Sequence, residues 1–254
     1  MFPGKAQIAA VALLAALAGC RASPEGPAGA AGLSEAGYAT PPAVTLATPA
    51  ASGVVLSGEA APSAEVRLAP PAGDPLTVRA DAAGRWRLEL PRAREARIFG
   101  VSAESGGRRV QAQGYLLVGP RGQTAVLRAG AGALRLDRGS GSRIAAVDFD
   151  ADGGALVSGW AAAGTDVAIR LDGRSAGEAR ADADGRFSFA IPRLSGGPHR
   201  IEATGVAFID EIMLDSSPAA PLADWPLRSQ LTRQGLRADW LTPGGGVQST
   251  VLAG

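Results

Sequence analysis

A chain of 254 residues has room for two modest domains. Its composition is 46% hydrophobic but only 5% aromatic, with 35 Gly and 18 Pro, which favours many short strands joined by turns over long helices. Lysine occurs once, at position 5, so the other 24 of the 25 basic residues are arginine and face 24 Asp and Glu; this excludes the basic excess with which nucleic-acid binders hold phosphate. Arg109, Arg121, Arg128, Arg135, Arg138 and Arg143 make the middle locally basic, a pattern that solvated strand faces explain.

Residues 1–19 read as an address. Lys5 supplies a positive start, and Ile8 to Ala18 form an uncharged apolar run. That run is shorter than the roughly 20 residues a membrane-spanning helix needs. It ends in Leu17-Ala18-Gly19-Cys20, which resembles the bacterial lipobox. The resemblance implies cleavage before Cys20, lipidation of its thiol and a stable membrane anchor through several acyl chains. Arg21, where that family often carries an inner-membrane Asp, leans the expected location toward the outer membrane. Cys20 is the only cysteine, so no disulfide is available. Residues 20–42, rich in Ala, Gly, Pro and Ser, read as a flexible tether with a coil-like span of about 25 Å.

The body is written twice. RADAAGRWRLELP at 79–91 returns as RADADGRFSFAIP at 180–192, an offset of 101. Trp86, Leu88 and Leu90 in the first, and Phe187, Phe189 and Ile191 in the second, alternate with polar or small residues, the signature of a half-buried strand. An Asp-x-x-Gly turn precedes the strand and Pro91 or Pro192 ends it. The same offset aligns Ser57-Gly58 with Ser158-Gly159, read as a turn, and Leu68 with Ile169. Upstream it aligns Val44, Leu46 and Thr48 with Ala145, Val147 and Phe149, without a gap. Turn signals every 8–12 residues suggest sandwiches. The shared string resembles the bacterial immunoglobulin-like repeats of envelope and adhesin proteins, which implies spacer or binding modules without catalytic residues. The expected fold is all-β: two tandem Ig-like β-sandwich domains, 43–118 and 144–216, with Trp86 and Phe187 central to their cores.

Two segments do not repeat. Residues 119–143 hold short strand candidates at Ala125–Arg128 and Ala133–Leu136, either an interdomain hairpin or closing strands of the first sandwich. Residues 217–254 form a C-terminal hairpin segment, Leu236–Thr242 and Val247–Leu252, with Trp225 and Trp240 as apolar anchors. A lone hairpin is marginal in water, so it docks on its own domains or on a partner. If on a partner, deleting 225–254 leaves both sandwiches folded.

Catalytic constellations are scarce, and no enzyme activity is expected. His199, the only histidine, reads as a strand-end residue, and neither G-x-S-x-G nor H-E-x-x-H occurs. Asp148, Asp150 and Asp152 match the opening of a calcium loop, but position twelve is Gly159, where a bidentate Glu is needed. They are weak metal candidates, and no cofactor is expected. Trp160 stands where the first repeat has Glu59, so the module pattern does not require an aromatic there. Trp160, Trp225 and Trp240 are candidate partner or glycan contacts. The chain therefore reads as a non-enzymatic envelope lipoprotein, anchored through Cys20, facing the periplasm or the cell surface. Its modules would serve as spacer, adhesion or assembly-docking domains for an envelope protein or surface polymer. The alternative is a carbohydrate- or cell-wall-binding module. Nucleic acid is not an expected partner.

Overall fold

The computed structural model describes residues 40–137, 141 and 143–254. The address segment with Cys20, most of the tether and Arg138 lie outside them. The described residues are all-β, with no helix and therefore none able to cross a membrane.

The first copy holds β1 (Ala43–Ala50), β2 (Gly53–Glu59), β3 (Glu65–Ala69), β4 (Leu76–Arg79), β5 (Arg85–Pro91), β6 (Arg97–Ser105) and β7 (Arg108–Val118). Sheet β1-β2-β5 faces a sheet in the order β4-β3-β6-β7. Period-two alternation puts Leu56, Val66, Leu68, Trp86, Leu90, Phe99, Val101 and Leu116 between them as one core. The segment 119–143 closes this sandwich: β8 (Thr124–Leu127) and β9 (Leu134–Arg135) extend the larger sheet beyond β7.

The second copy holds β10 (Ile144–Asp150), β11 (Ala155–Trp160), β12 (Asp166–Leu171), β13 (Arg174–Arg180), β14 (Arg186–Ile191), β15 (Pro198–Gly205) and β16 (Phe208–Asp215). Its four-stranded sheet runs β13-β12-β15-β16, and its core gathers Val147, Phe149, Val157, Val167, Ile169, Phe187, Ile191, Ile201 and Leu214.

The repeated phrase has a physical meaning in both copies. Asp81 Oδ1 accepts from the backbone N–H of Ala83 and Arg85 at 2.8 and 2.9 Å, and Asp182 Oδ1 from Asp184 and Arg186 at 2.9 and 2.8 Å. Gly84 and Gly185 then take φ of +81° and +75°, the left-handed conformation open to glycine. Their carbonyls accept from Ala60 and Ala161, fastening the turn to the end of β2 or β11. Ser57-Gly58 and Ser158-Gly159 are not turns, as the sequence suggested, but lie within β2 and β11. Gly58 sits opposite Trp86 and Gly159 opposite Phe187. A Cβ at Gly58 would lie 2.4 Å from the indole and 2.1 Å from Ala43 O; at Gly159 it would lie 2.6 Å from the phenyl ring and 2.1 Å from Arg143 O. The ring covers the space the glycine vacates, a packing device for sheets.

The ungapped offset needs one correction. Gly58 pairs with Val44 and Gly159 with Ile144, so the first strands match at an offset of 100. The residue that restores 101 sits in the β10–β11 turn, where Asp150 Oδ1 accepts from the backbone N–H of Asp152 and Gly154.

The C-terminal segment is not a separate hairpin. It forms three strands, β17 (Leu227–Leu231), β18 (Gly235–Leu241) and β19 (Val247–Ala253). Strand β19 pairs with β10, making one sheet in the order β14-β11-β10-β19-β18-β17. One face of this sheet covers the core of the second copy. The other buries Ala146, Leu236, Ala238, Trp240 and Leu252 against Ile98, Leu117, Ala125 and Leu127 of the first. The tail therefore docks on its own domains and welds them through a third core. Strand β17 escaped the sequence reading because Leu227-Arg228-Ser229-Gln230-Leu231 carries little apolar alternation.

Candidate functional site

Two buried polar sets position the interface. Asp148, 3% exposed, lies on the outer face of β10. Its carboxylate accepts from Thr250 Oγ1 at 2.5 Å, from the backbone N–H of Ala133 at 2.7 Å and from Gln248 Nε2 at 3.5 Å. Burial disfavours the charge and pushes its pKa up to about 6, against the pull of these donors. The second set is Arg135 with Asp137, both buried, 3.0 Å apart. Arg135 also donates to the carbonyls of Ala145 and Ala253, and Asp137 Oδ1 accepts from the backbone N–H of Thr124 at 2.6 Å. One guanidinium thus ties β9 to both β10 and β19. A buried ion pair of this kind fixes register more than it adds net stability.

Beside this weld lies an open cleft of about 750 Å³, lined by residues of both copies. Strand β11 places Leu156, Ser158 and Trp160 on its outer face. Leu156 packs on Gly132, Ser158 Oγ donates to the carbonyls of Ala133 and Ala146, and Trp160, one step further, is left partly exposed at the cleft. Arg186 is its direct cross-strand partner on β14, so the two side chains share a face. Arg143, whose carbonyl accepts from the Trp160 N–H at 2.9 Å, enters from the position just before β10. Asp184 comes from the Asp-x-x-Gly turn, and Leu46, 45% exposed, from β1 of the first copy.

The other candidates separate. Trp240 is fully buried, with Nε1 donating to Thr250 Oγ1 at 3.2 Å and Tyr115 edge-on at 6.1 Å, so it is a core residue and cannot touch a partner. Trp225 is 50% exposed and belongs to none of the three cores. Asp148 turns into the interface, Asp150 caps its own turn and Asp152 is exposed; among the described residues no three His, Cys, Asp or Glu side chains converge on a metal position.

His199 has partners that the sequence did not reveal. Nδ1 lies 2.8 Å from Asp172 Oδ2, and Nε2 lies 2.9 Å from the backbone O of Ser195 and 3.1 Å from its Oγ. The residue types are those of a nucleophile–base–orienter set. Here Nε2 lies nearer the Ser195 carbonyl than its hydroxyl, and the ring is held from both sides. Burial alone would lower its pKa, but the bonds to Asp172 and to Ser195 O raise it above the ordinary value. In Asp172 the N–H of Arg200 and the His199 ring hold the carboxyl below its ordinary range. The set fastens the β12–β13 turn to the loop before β15.

The chain matches no protein-family model and no curated protein. Among solved structures it is similar to a chain described as "Biofilm associated protein - BSP domain", at 15% identity and a TM-score of 0.24. That alignment covers 69% of this chain but spans only 30% of the other.

The cleft was partly legible. Trp160 stood out because its counterpart is Glu59, and the same comparison of copies picks out two more residues. Asp184 replaces Ala83 and, once the register is corrected, Arg143 replaces Ala43. Leu46 and the Arg135–Asp137 pair carry no such mark, since only the folded chain brings them there.

Proposed function

We propose that the protein is a non-enzymatic envelope lipoprotein, anchored through Cys20, that presents two welded Ig-like modules as one rigid spacer with an adhesive face. The observation that supports this reading best is the third core. An interface filled by Trp240, Leu236, Leu252, Ile98 and Leu117 removes the hinge that tandem modules otherwise have. A body stiffened in this way would present its binding face in one fixed geometry. Labelled palmitate is expected to mark the wild-type chain and hold it in the envelope fraction, whereas Cys20→Ser is unlabelled and released. A wild-type chain that is unlabelled and soluble overturns the lipoprotein reading.

The second reading, a module that binds a carbohydrate or wall polymer, is favoured by the Trp160 cleft. Partly exposed tryptophan offers a flat apolar surface to a sugar ring, and arginine beside it supplies directional donors. Retention of the full chain on isolated cell-wall polymer, lost in Trp160→Ala, is the expected result; equal retention of the variant counts against this reading.

A further inference from the structure

We propose that the cleft between the two copies binds an acidic polysaccharide, taking one carboxylate-bearing pyranose unit against Trp160; this deepens the polymer-binding reading and rests on it. The first argument is the chemistry that separates the copies. At the matching positions the first copy has Glu59, Ala43 and Ala83, and the second has Trp160, Arg143 and Asp184. The module folds with either set, so an aromatic face, a cation and a hydroxyl acceptor have been placed where the fold does not ask for them.

The second argument is charge. Arg186 has Arg85 as its counterpart, and Arg85 is paired with Asp81 at 3.3 Å. Arg186 instead reaches away from Asp182, and its Nη1 donates to the carbonyl of Arg135 at 3.3 Å. The Arg143 guanidinium lies over the Phe208 ring, 5.5 Å from its centre. Among the described residues neither guanidinium has a carboxylate within ion-pair distance. The other cation and anion of the wall, Arg135 and Asp137, neutralise each other. Among the described lining residues, two arginines against Asp184 leave a net positive charge, on a chain whose total charge is only +1. Guanidinium groups match a carboxylate through paired N–H donors.

The third argument is shape. About 750 Å³ falls in the range of small-ligand sites, about 300–1,000 Å³. The opposite wall is Leu46 and Thr45, one apolar and one hydroxyl-bearing side chain. A pyranose presents an apolar C–H face and a polar edge, which suits a wall of Trp160 and Leu46 with Arg143, Arg186 and Asp184 around it. An aromatic acid would leave Asp184 facing no donor.

The test uses detergent-solubilised full-length chain over surfaces of polygalacturonate and of neutral dextran. Saturable binding to polygalacturonate alone is expected, weakening as salt rises. Trp160→Glu, which restores the residue of the first copy, should weaken it about thirtyfold. Arg186→Gln should weaken it about tenfold and flatten the salt dependence. Trp225→Ala, which removes an exposed tryptophan far from the cleft, should leave it unchanged. All variants are first matched to wild type in thermal midpoint, and Arg143→Gln replaces any that is not. Binding to dextran equal to that on polygalacturonate, lost in Trp160→Glu, overturns the acidic selectivity but leaves the polymer-binding reading standing. Absence of binding to both polymers and to whole cell wall overturns both, as does binding that Trp160→Glu and Arg186→Gln do not change.

Discussion

Strands β1 and β10 descend from the same position of a duplicated module, yet they live in different places. β1 is an edge strand of a three-stranded sheet, and only Val44 and Ala47 along it are buried. β10 is central in a six-stranded sheet, and Ile144 through Phe149 are all buried. The sequences show it: Ala-Val-Thr-Leu-Ala-Thr is broken by two threonines, whereas Ile-Ala-Ala-Val-Asp-Phe is apolar at every position but Asp148, as in strands covered on both faces. The difference teaches that a second copy need not be a second bead. Added strands on one edge turned a solvent face into an interface, and residues on that face then took new work: Asp148 as an interface acceptor, Trp160 at the cleft.

The comparison breaks most completely if the added strands are removed. Deleting 225–254 strips β17, β18 and β19 from the sheet and uncovers both β10 and the outer face of β6, β7 and β8. The second copy is expected to lose cooperative unfolding, read as a broad urea transition with early protease cleavage inside 144–216. A variant that keeps the full-length midpoint would show the weld to be dispensable. This is the opposite of the outcome expected had the tail docked on a partner, where both sandwiches would survive the deletion.

Next in size is the core aromatic of each copy. Trp86 and Phe187 are 4% and 2% exposed, and each covers a glycine that nothing else can cover. Truncation to Ala should cost about 3–5 kcal/mol at either site. Because the third core couples the copies, both variants should lower one common transition in calorimetry. Two separate transitions, one moved by each variant, would show independent beads after all. Arg135→Met belongs to the same range, about 3–5 kcal/mol, because it removes the ion-pair partner of the buried Asp137 carboxylate.

How much of this was legible follows from what each pattern encodes. The strands of the two modules, the Asp-x-x-Gly turns and the burial of Trp86 and Phe187 came from local alternation and turn chemistry, which one strand carries by itself. The Ser-Gly pairs were misread as turns because the reason for each glycine is an aromatic ring on another strand, more than 25 residues away. The one-residue slip in the register hid in small apolar residues, where Ala and Val fit either offset. The weld was out of reach for a different reason: Leu236, Trp240 and Leu252 announce a buried face but not which surface covers it.

A smaller effect separates Asp148 from its counterpart Thr48, which is exposed. The folded pKa of about 6 stands above the ordinary 3.8, so folding favours the protonated acid. Asp148 therefore costs nothing extra below about pH 4 and increasingly destabilises the fold as pH rises toward 6 and beyond. The gap between 3.8 and about 6 corresponds to about 3 kcal/mol. Asp148→Thr should remove that slope, so that wild-type stability relative to the variant falls between about pH 4 and about pH 7 in urea titrations. Parallel pH profiles would mean that Thr250, Gln248 and the Ala133 N–H hold the carboxylate charged at no net cost.

The smallest difference lies at the start of β15. Counted back along the strands from Ala203 and Val101, which face Ile169 and Leu68, His199 occupies the position of Arg97. Both close a loop onto the strand: Arg97 Nη2 donates to the Pro91 carbonyl at 2.7 Å, and His199 Nε2 lies 2.9 Å from that of Ser195. Arginine keeps its charge at any working pH, and histidine does not. The pKa of His199 is raised on folding, so its contribution is complete below the ordinary 6.5 and is lost as pH rises through the higher folded value. With Asp172 half exposed, the effect should be at most about 1 kcal/mol. Amide exchange at Arg200, whose N–H is held by Asp172 Oδ1, is the sensitive readout. After correction for intrinsic exchange, its protection should fall with rising pH in wild type and stay level in His199→Arg. Protection that is level in both would mean that Asp172 holds the turn without help from the imidazolium, and that the two copies do not differ here.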